Sequence, residues 1–252
     1  MKPLVLLTND DGVAAAGIRA MRAALAKVAD VIVVAPEAEQ SMASHAISFH
    51  RPLRVRAIEP GVFAVDGTPA DCCYVGMHLR TVLPRRPDVV VSGINMGVNL
   101  GQDVFYSGTV AAAREAALTG IPAIATSAPS AADHGPIAQA TAWFAVELAH
   151  AATTTPKPTP LLNLNFPNPW KGELVATRLG QRHYDDAVDV RKDPRGREYV
   201  WLGGSNVRHD AVPVDGTDTA AFDAGVASVT SLVLDLSDGA FPVAPLVARR
   251  RG

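Results

Sequence analysis

The segment Thr8–Gly12 places two adjacent carboxylates, Asp10 and Asp11, directly after the short apolar run Leu4–Leu7. Ligands of open α/β sheets bind beyond the carboxyl ends of such strands. Neighbouring carboxylates repel each other, and a divalent cation is the simplest partner that keeps both ionised. Oxygen ligands favour magnesium or manganese over zinc or copper. Taken alone, the motif is explained equally well by a solvated Asp-Gly turn or by a helix cap.

A second candidate loop, Ser92–Gly101, follows the apolar run Val89–Val91 and contains three glycines and two asparagines. Glycines let backbone N–H groups turn toward a bound anion. The amides of Asn95 and Asn99 can coordinate a metal or hold a phosphate oxygen without adding charge. A merely flexible loop is the alternative interpretation.

Two further segments carry hydroxyl groups near the same predicted sheet edge. Tyr106–Val110 leads into a helix of small residues, and a helix N-terminus offers unpaired N–H donors to a phosphate. An ordinary helix cap explains Thr109 as well, and the segment has neither the glycine spacing nor the lysine of a Walker loop or a dinucleotide fingerprint. Ser41 follows the apolar run Val31–Ala35, and by itself it is typical of a loop serine.

These loops require a parallel sheet to bring them together. Short apolar runs alternate with helical patterns, which predicts an α/β fold with a doubly wound, mostly parallel, Rossmann-like sheet. Thr68–Asp71 is a typical helix start, with a capping hydroxyl followed by proline. The predicted strands also include Ala123–Thr126 and Leu161–Leu164, and the predicted helices are Ile18–Val28, Pro69–Leu83, Val110–Leu118 and Ile137–Ala152.

The character of the chain changes after Pro169. We interpret residues 1–170 as the catalytic core, which includes a Thr/Pro-rich connector at Thr153–Pro160, and residues 171–252 as a C-terminal portion. In that portion, a turn at Asp193–Gly196 predicts a long projecting hairpin, about residues 178–202. Thr217-Asp218 predicts a helix cap, and Val226–Leu234 predicts a strand that rejoins the core.

Composition narrows the classes of function. A net charge of −2 predicts no nucleic-acid or membrane partner, and Arg249–Arg251 is interpreted as a solvated tail. The N-terminal apolar run is too short for a signal peptide or a membrane span, so we expect a cytoplasmic protein. Cys72 and Cys73 are adjacent and lack spaced partners for zinc, so they are interpreted as small buried side chains.

The combination of loops is more specific than any one of them, and it closely resembles the SurE family of stationary-phase survival proteins. The resemblance covers nearly the whole chain. Members of that family are metal-dependent 5′- and 3′-nucleotidases that form dimers or tetramers by exchanging hairpins, and some accept short polyphosphate. The matching segments are Leu7–Gly12, Ala35-Pro36 with Ser41, Asp66–Pro69, Ser92–Asn95, Tyr106–Val110, Arg197–Tyr199, Thr217-Asp218 and Ser228–Thr230.

The resemblance implies roles for particular residues. The residues that match the family's ligands for one divalent ion per subunit, Mg²⁺ or Mn²⁺, are Asp10, Asp11, Ser41 and Asn95. Those that fall where the family contacts phosphate are Asn9, Asn99, Ser107, Gly108 and Thr109. Two departures stand out: Met42 replaces the usual glycine after Ser41, and Ala14–Ala16 replaces the common His-Ala-Pro. We expect Met42 to affect the pose of Ser41.

The expected reaction is hydrolysis of a nucleoside monophosphate, in which a metal-activated water attacks phosphorus. Direct attack by Asp10 is disfavoured because Gly12 stands where aspartyl-phosphate phosphatases carry a second acid. No general acid is evident, and His45, His50 and His78 are candidates by type alone. A nucleotide sensor that does not hydrolyse its ligand, and an oligomeric scaffold with a vestigial site, are the alternative functions. We expect a homodimer or homotetramer.

Overall fold

The computed structural model describes residues 2–151, 159–184, 188–202, 207–209 and 214–237. Most of the predicted connector Thr153–Pro160, and the basic tail Arg249–Arg251, lie outside the described residues.

A single mixed sheet organises the described part of the chain. Its central strands run parallel and are, in spatial order, β4 (Val62–Val65), β2 (Asp30–Pro36), β1 (Leu4–Thr8), β5 (Val89–Met96), β6 (Ala123–Ala128) and β7 (Leu161–Asn165). The chain moves outward from β1 to one side and then returns to build the other side from β5. A crevice therefore opens between the carboxyl ends of β1 and β5, where open α/β sheets bind ligands.

Helices cover both faces of this sheet, because the central strands are apolar on both sides. On one face α1 (Ala16–Leu25) packs beside α4 (His134–Ala151), with Ile18, Met21 and Ile137 in a shared core. On the other face α2 (Pro69–His78) packs beside α3 (Gly108–Leu118). The predicted doubly wound α/β fold is confirmed.

Helix α2 shows how local sequence sets an element's bounds. The Thr68 hydroxyl accepts the Asp71 N–H, and the Asp71 carboxylate accepts the Thr68 N–H, so the predicted cap is a full capping box. The helix ends at His78, earlier than the predicted Leu83, because Leu79 is extended and Leu83 precedes a proline. Cys72 and Cys73 belong to this helix, and both are free and buried, as predicted.

Three strands of this sheet were not predicted from the sequence, namely β3 (Val55–Glu59), β4 and β8 (Leu174–Thr177). All five residues of β3 are exposed, and the strand pairs antiparallel with β4, so the apolar pattern of a core strand is missing there.

The C-terminal portion returns to the same sheet. Strand β8 (Leu174–Thr177) pairs parallel with β13 (Ala227–Ser231), which pairs antiparallel with β7 after helix α5 (Asp218–Asp223). The predicted capping residue Thr217 accepts the Ala220 N–H through its hydroxyl.

Between β8 and α5 lie two antiparallel pairs that form the predicted hairpin. β10 (Val188–Lys192) pairs with β11 (Glu198–Leu202), and β9 (Arg182–Tyr184) pairs with β12 (Val207–His209). The hairpin therefore continues beyond Leu202.

Candidate active site

A cavity of about 720 Å³ opens at the carboxyl ends of β1 and β5. The loop after β1, the loop after β5 and the start of α3 meet there, as predicted. Of the predicted site residues, those that line the cavity are Asp10, Ser41, Asn95, Asn99 and Ser107. Asn9, Asp11, Gly108 and Thr109 adjoin the lining residues in the chain or by contact.

Asp10 lines the cavity and is only 5% exposed. The Thr109 hydroxyl donates to its carboxylate, which joins the loop after β1 to the first turn of α3. Burial raises the pKa of Asp10 to about 6, and the charge of Asp11 adds to the rise, while the Thr109 hydroxyl opposes it. The ionised carboxylate is therefore unfavourable without a positive partner.

Asp11 lies in the loop after β1, and Asn95 is the penultimate residue of β5. The Asp11 carboxylate accepts the Met96 N–H at 3.1 Å, so it contacts the end of β5 directly. Burial raises the pKa of Asp11 as well, and the Met96 N–H opposes that rise. The Asn95 amide nitrogen donates to the Gly97 carbonyl at 2.7 Å, which leaves the side-chain oxygen as the atom able to bind a cation.

Ser41 lines the cavity from an exposed loop, and its hydroxyl donates to Glu39 at 2.6 Å. The next residue, Met42, has φ 59, in the left-handed region that favours glycine. The backbone at this position therefore keeps a conformation suited to glycine even though the residue is methionine. Ser44 ties the loop to the start of α3 through an N–H bond to the Tyr106 carbonyl at 3.0 Å.

The start of α3 lines the cavity through its N-cap residue Ser107. Ser107 caps the helix by accepting the Val110 N–H at 3.1 Å, and its own hydroxyl hydrogen stays available to a ligand. A Cβ at Gly108 would lie 3.0 Å from the Asp10 Cβ and 3.0 Å from the Pro69 Cγ. Glycine is thus required for the helix N-terminus to approach the carboxylate this closely.

The two remaining predicted phosphate contacts are placed differently. Asn99 lines the cavity at 7% exposure. Asn9 is fully buried beneath the loop after β1, where its amide nitrogen donates to the Gly12 carbonyl at 2.9 Å. Its side-chain oxygen has no hydrogen-bond partner among the described residues.

The predicted hairpin also contributes to the cavity, which sequence reasoning missed. Arg182 and Tyr184 both donate to Asp103, and the guanidinium lies 5.6 Å from the centre of the Tyr184 ring. All three residues line the cavity, together with Val188 and Leu202. Burial and the bond to Asp103 raise the pKa of Tyr184 to about 12, so its phenol stays protonated.

None of the three histidines proposed by type lines the cavity. His45 pairs with Glu115 at 2.8 Å, His50 is exposed, and His78 packs on Tyr74 with ring centroids 4.5 Å apart.

The donors gathered here fit a hard divalent cation. Within the described ranges, no three His, Cys, Asp or Glu side chains cluster as a metal site, so a zinc-type set is not seen there. Two carboxylates, an amide and a hydroxyl supply oxygen ligands, as Mg²⁺ and Mn²⁺ prefer. The upward pKa shifts of Asp10 and Asp11 are those of carboxylates that a bound cation would stabilise in ionised form.

Comparison with known proteins agrees with this architecture. Residues 5–186 match the family model described as Survival protein SurE. Curated relatives named 5′-nucleotidase SurE include one from Sorangium cellulosum, 56% identical over 94% of this chain and 92% of its own, and one from Geobacter sulfurreducens, 48% identical over 93% and 89%. The crystal structure of the Sure protein from Aquifex aeolicus matches with TM-score 0.81 and 36% identity, covering 99% of this chain and 100% of that chain. The chain belongs to the SurE family.

Proposed function

We propose that this chain hydrolyses nucleoside 5′-monophosphates to nucleoside and phosphate, using one divalent cation held by Asp10, Asp11, Ser41 and Asn95. The names of its relatives support the substrate class. One observation carries the proposal for this chain's own residues. A carboxylate pair able to hold a cation lies directly against a helix N-terminus able to hold a phosphate, with Thr109 bonded to Asp10 between them.

A bound Mg²⁺ or Mn²⁺ would act as a Lewis acid on the phosphoryl oxygens and lower the pKa of a water molecule that attacks phosphorus. The chain's own groups orient the substrate. The N–H groups of Gly108 and Thr109 begin a helix, so they lack helical acceptors and lie at the positive end of its dipole. Ser107 adds a hydroxyl donor, and these groups stabilise charge that spreads over the phosphoryl oxygens.

The far end of the cavity suits the nucleoside. A phosphate alone fills a small part of about 720 Å³. The cavity is also lined by Met96, Tyr106 and Tyr184, together with the apolar residues Val188 and Leu202. Apolar and aromatic surfaces of this kind accept a sugar and a planar base.

The hairpin supports a further part of the proposal, a homodimer or homotetramer formed by hairpin exchange. Val188, Val190, Val200 and Leu202 alternate onto one face of the β10–β11 pair, and each is more than half exposed. Isolated two-stranded hairpins are marginal in water, so a partner surface that covers this face would stabilise the pair. No helix among the described residues is long and apolar enough to cross a membrane. Cytoplasmic location, 3′-nucleotidase activity and polyphosphate hydrolysis remain predictions.

The test is phosphate release from a substrate panel with Mn²⁺ or Mg²⁺ restored after chelation. The panel contains 5′- and 3′-nucleotides of each base, short polyphosphate and glycerol phosphate. We expect 5′-nucleotides to be the better substrates, and glycerol phosphate, which lacks a base, to be poor. Binding of nucleotides without turnover under any metal would instead identify a sensor and refute the proposal.

A further inference from the structure

Three buried side chains from neighbouring strands surround Asn99. Ser127 is the penultimate residue of β6, and Asn163 and Asn165 alternate along β7, with all three at 0% exposure. Polar groups buried in central strands cost stability unless they are hydrogen-bonded. Each of these three side chains forms a hydrogen bond to Asn99, a residue of the loop after β5.

The backbone of Asn99 is held on both sides. Its N–H donates to the Asn165 side-chain oxygen at 2.7 Å, and its carbonyl accepts from the Asn165 amide nitrogen at 3.1 Å. The Asn165 side-chain amide thus bonds to both the backbone N–H and the backbone carbonyl of Asn99, as a residue of a neighbouring strand would. The Asn163 amide nitrogen reaches the same carbonyl at 2.8 Å. Beyond the end of β5, side chains of β7 therefore fix the loop where backbone pairing has stopped.

The side chain of Asn99 is also oriented. Its amide nitrogen donates one hydrogen to the Ser127 hydroxyl oxygen at 2.8 Å. A primary amide carries two hydrogens and an acceptor oxygen, so the second hydrogen stays available. Asn99 lines the cavity together with Ser107 and Asp10, so a phosphoryl oxygen bound there can accept that hydrogen.

We propose that Ser127, Asn163 and Asn165 are positioning residues that set the Asn99 amide for the phosphoryl group of the substrate. This inference rests on the proposed function, because that function gives Asn99 a phosphate to bind. None of the three residues lines the cavity, so they act through Asn99. These hydrogen bonds hold the Asn99 amide in position to within a fraction of an ångström. Losing that position would lower the reaction rate.

Ser127→Ala is the sharpest variant, because it removes one hydroxyl and leaves the Asn99 backbone clamped. Thr126→Val is its matched control. Thr126 is the adjacent residue of β6, equally buried, and its hydroxyl pairs with Thr141 at 3.2 Å, away from Asn99. A second variant, Asn165→Leu, removes both backbone bonds at nearly constant volume.

Three quantities are measured for each folded variant: the Kd for Mn²⁺, the Kd for inorganic phosphate at saturating Mn²⁺, and kcat and KM for AMP. We expect Ser127→Ala and Asn165→Leu to weaken phosphate binding and lower kcat/KM by about 10- to 100-fold. Their Kd for Mn²⁺ should stay within about twofold of wild type, because the hydrogen bonds that these variants remove go to Asn99 and to none of the four proposed cation ligands. Thr126→Val should stay near wild type in all three quantities.

A double-mutant cycle separates positioning from a general loss of stability. In an Asn99→Ala background, Ser127→Ala should have no further effect on phosphate binding, since the group that it orients is gone. Equal effects with and without Asn99 would overturn the inference, and so would wild-type behaviour of Ser127→Ala. If Asn165→Leu does not fold, the Ser127 cycle decides alone. A wild-type chain that binds phosphate but releases none from nucleotides would refute the proposed function and leave the clamp to be judged by phosphate affinity.

Discussion

Replacing Asp10 with asparagine should stabilise the metal-free protein at neutral pH. The Asp10 carboxylate is 5% exposed and lies beside Asp11, and burial raises its pKa from 3.8 to about 6. A rise of one in pKa corresponds to about 1.4 kcal/mol. The ionised carboxylate therefore costs the folded apo protein up to about 3 kcal/mol, a cost that the neutral amide does not carry. The Thr109 hydroxyl can donate to an asparagine oxygen as it does to Asp10.

The stabilisation by Asp10→Asn should increase with pH, because the pKa of Asp10 is raised in the folded protein. The folded carboxyl binds its proton more tightly than the unfolded one, so the folded state holds more protons between about pH 4 and pH 6. The contribution of Asp10 to the free energy of unfolding of the wild-type protein therefore falls as pH rises through that window, and it is constant above it. The advantage of Asp10→Asn should be about 3 kcal/mol at pH 8 and shrink to about 1 kcal/mol at pH 4.5.

The assay is urea denaturation in excess chelator at several pH values, with Asp30→Asn as the charge-matched control. Asp30 is an exposed carboxylate at the start of β2, so its replacement should change stability little at any pH. Mn²⁺ at 1,000 times the wild-type Kd should reverse the order, because it adds about 4.1 kcal/mol to the protein that binds it, more than the advantage of about 3 kcal/mol that Asp10→Asn has at pH 8. An apo Asp10→Asn variant that is less stable than wild type at pH 8, or an advantage that does not vary with pH, would refute the reasoning.

Three further predictions concern other parts of the site and the hairpin. Gly108→Ala should lower AMP hydrolysis at least about 10-fold. The added Cβ would lie 3.0 Å from side-chain atoms of Asp10 and Pro69, so it would displace the N-terminus of α3 by a fraction of an ångström. Unchanged activity in steady-state kinetics would contradict this prediction. Met42→Gly should raise the free energy of unfolding by at most about 1 kcal/mol, because φ 59 strains methionine and not glycine. Met42→Ala keeps that strain and serves as its control, so equal stabilities of the two variants in thermal denaturation would exclude strain at this position. A further variant lacks Val188–Val200 and has the gap closed by a short glycine-containing turn. It should show a lower oligomeric state in light scattering while Mn²⁺ still binds. A full-length protein that is monomeric at micromolar concentration would refute hairpin exchange outright.

The central architecture could be predicted from the sequence because its signals are local. Apolar runs such as Leu4–Leu7 are followed by polar loops, and the topology of a parallel sheet brings those loops to one edge. The capping residues Thr68 and Thr217 also carry their own signal. For these reasons the fold, and the meeting of the loop after β1 with the start of α3, were both predictable.

Other features depend on contacts between distant segments. The hydrogen bonds to Asn99 depend on how β6 and β7 are aligned beside the loop after β5. Ser127 and Asn165 lie more than 25 residues from Asn99 in the sequence, so no local sequence pattern indicates these contacts. A hint does exist, since Asn163 and Asn165 alternate within an otherwise apolar strand, where polar residues need a partner. The cavity wall at Arg182 and Tyr184 was missed because a hairpin pattern states that two strands pair, and not which surface they cover.

The most direct test of the central claim is phosphate release from AMP by chelated protein titrated with Mn²⁺, with Asp11→Asn measured in parallel. Wild type should be inactive in chelator and regain activity as Mn²⁺ fills a single site per subunit. Asp11→Asn should stay folded, bind Mn²⁺ more weakly and lose most of the activity, because it removes one of two carboxylate ligands. Undiminished turnover of metal-free wild type, or an Asp11→Asn variant with wild-type turnover and Mn²⁺ affinity, would contradict a cation-dependent nucleotidase centred on this carboxylate pair.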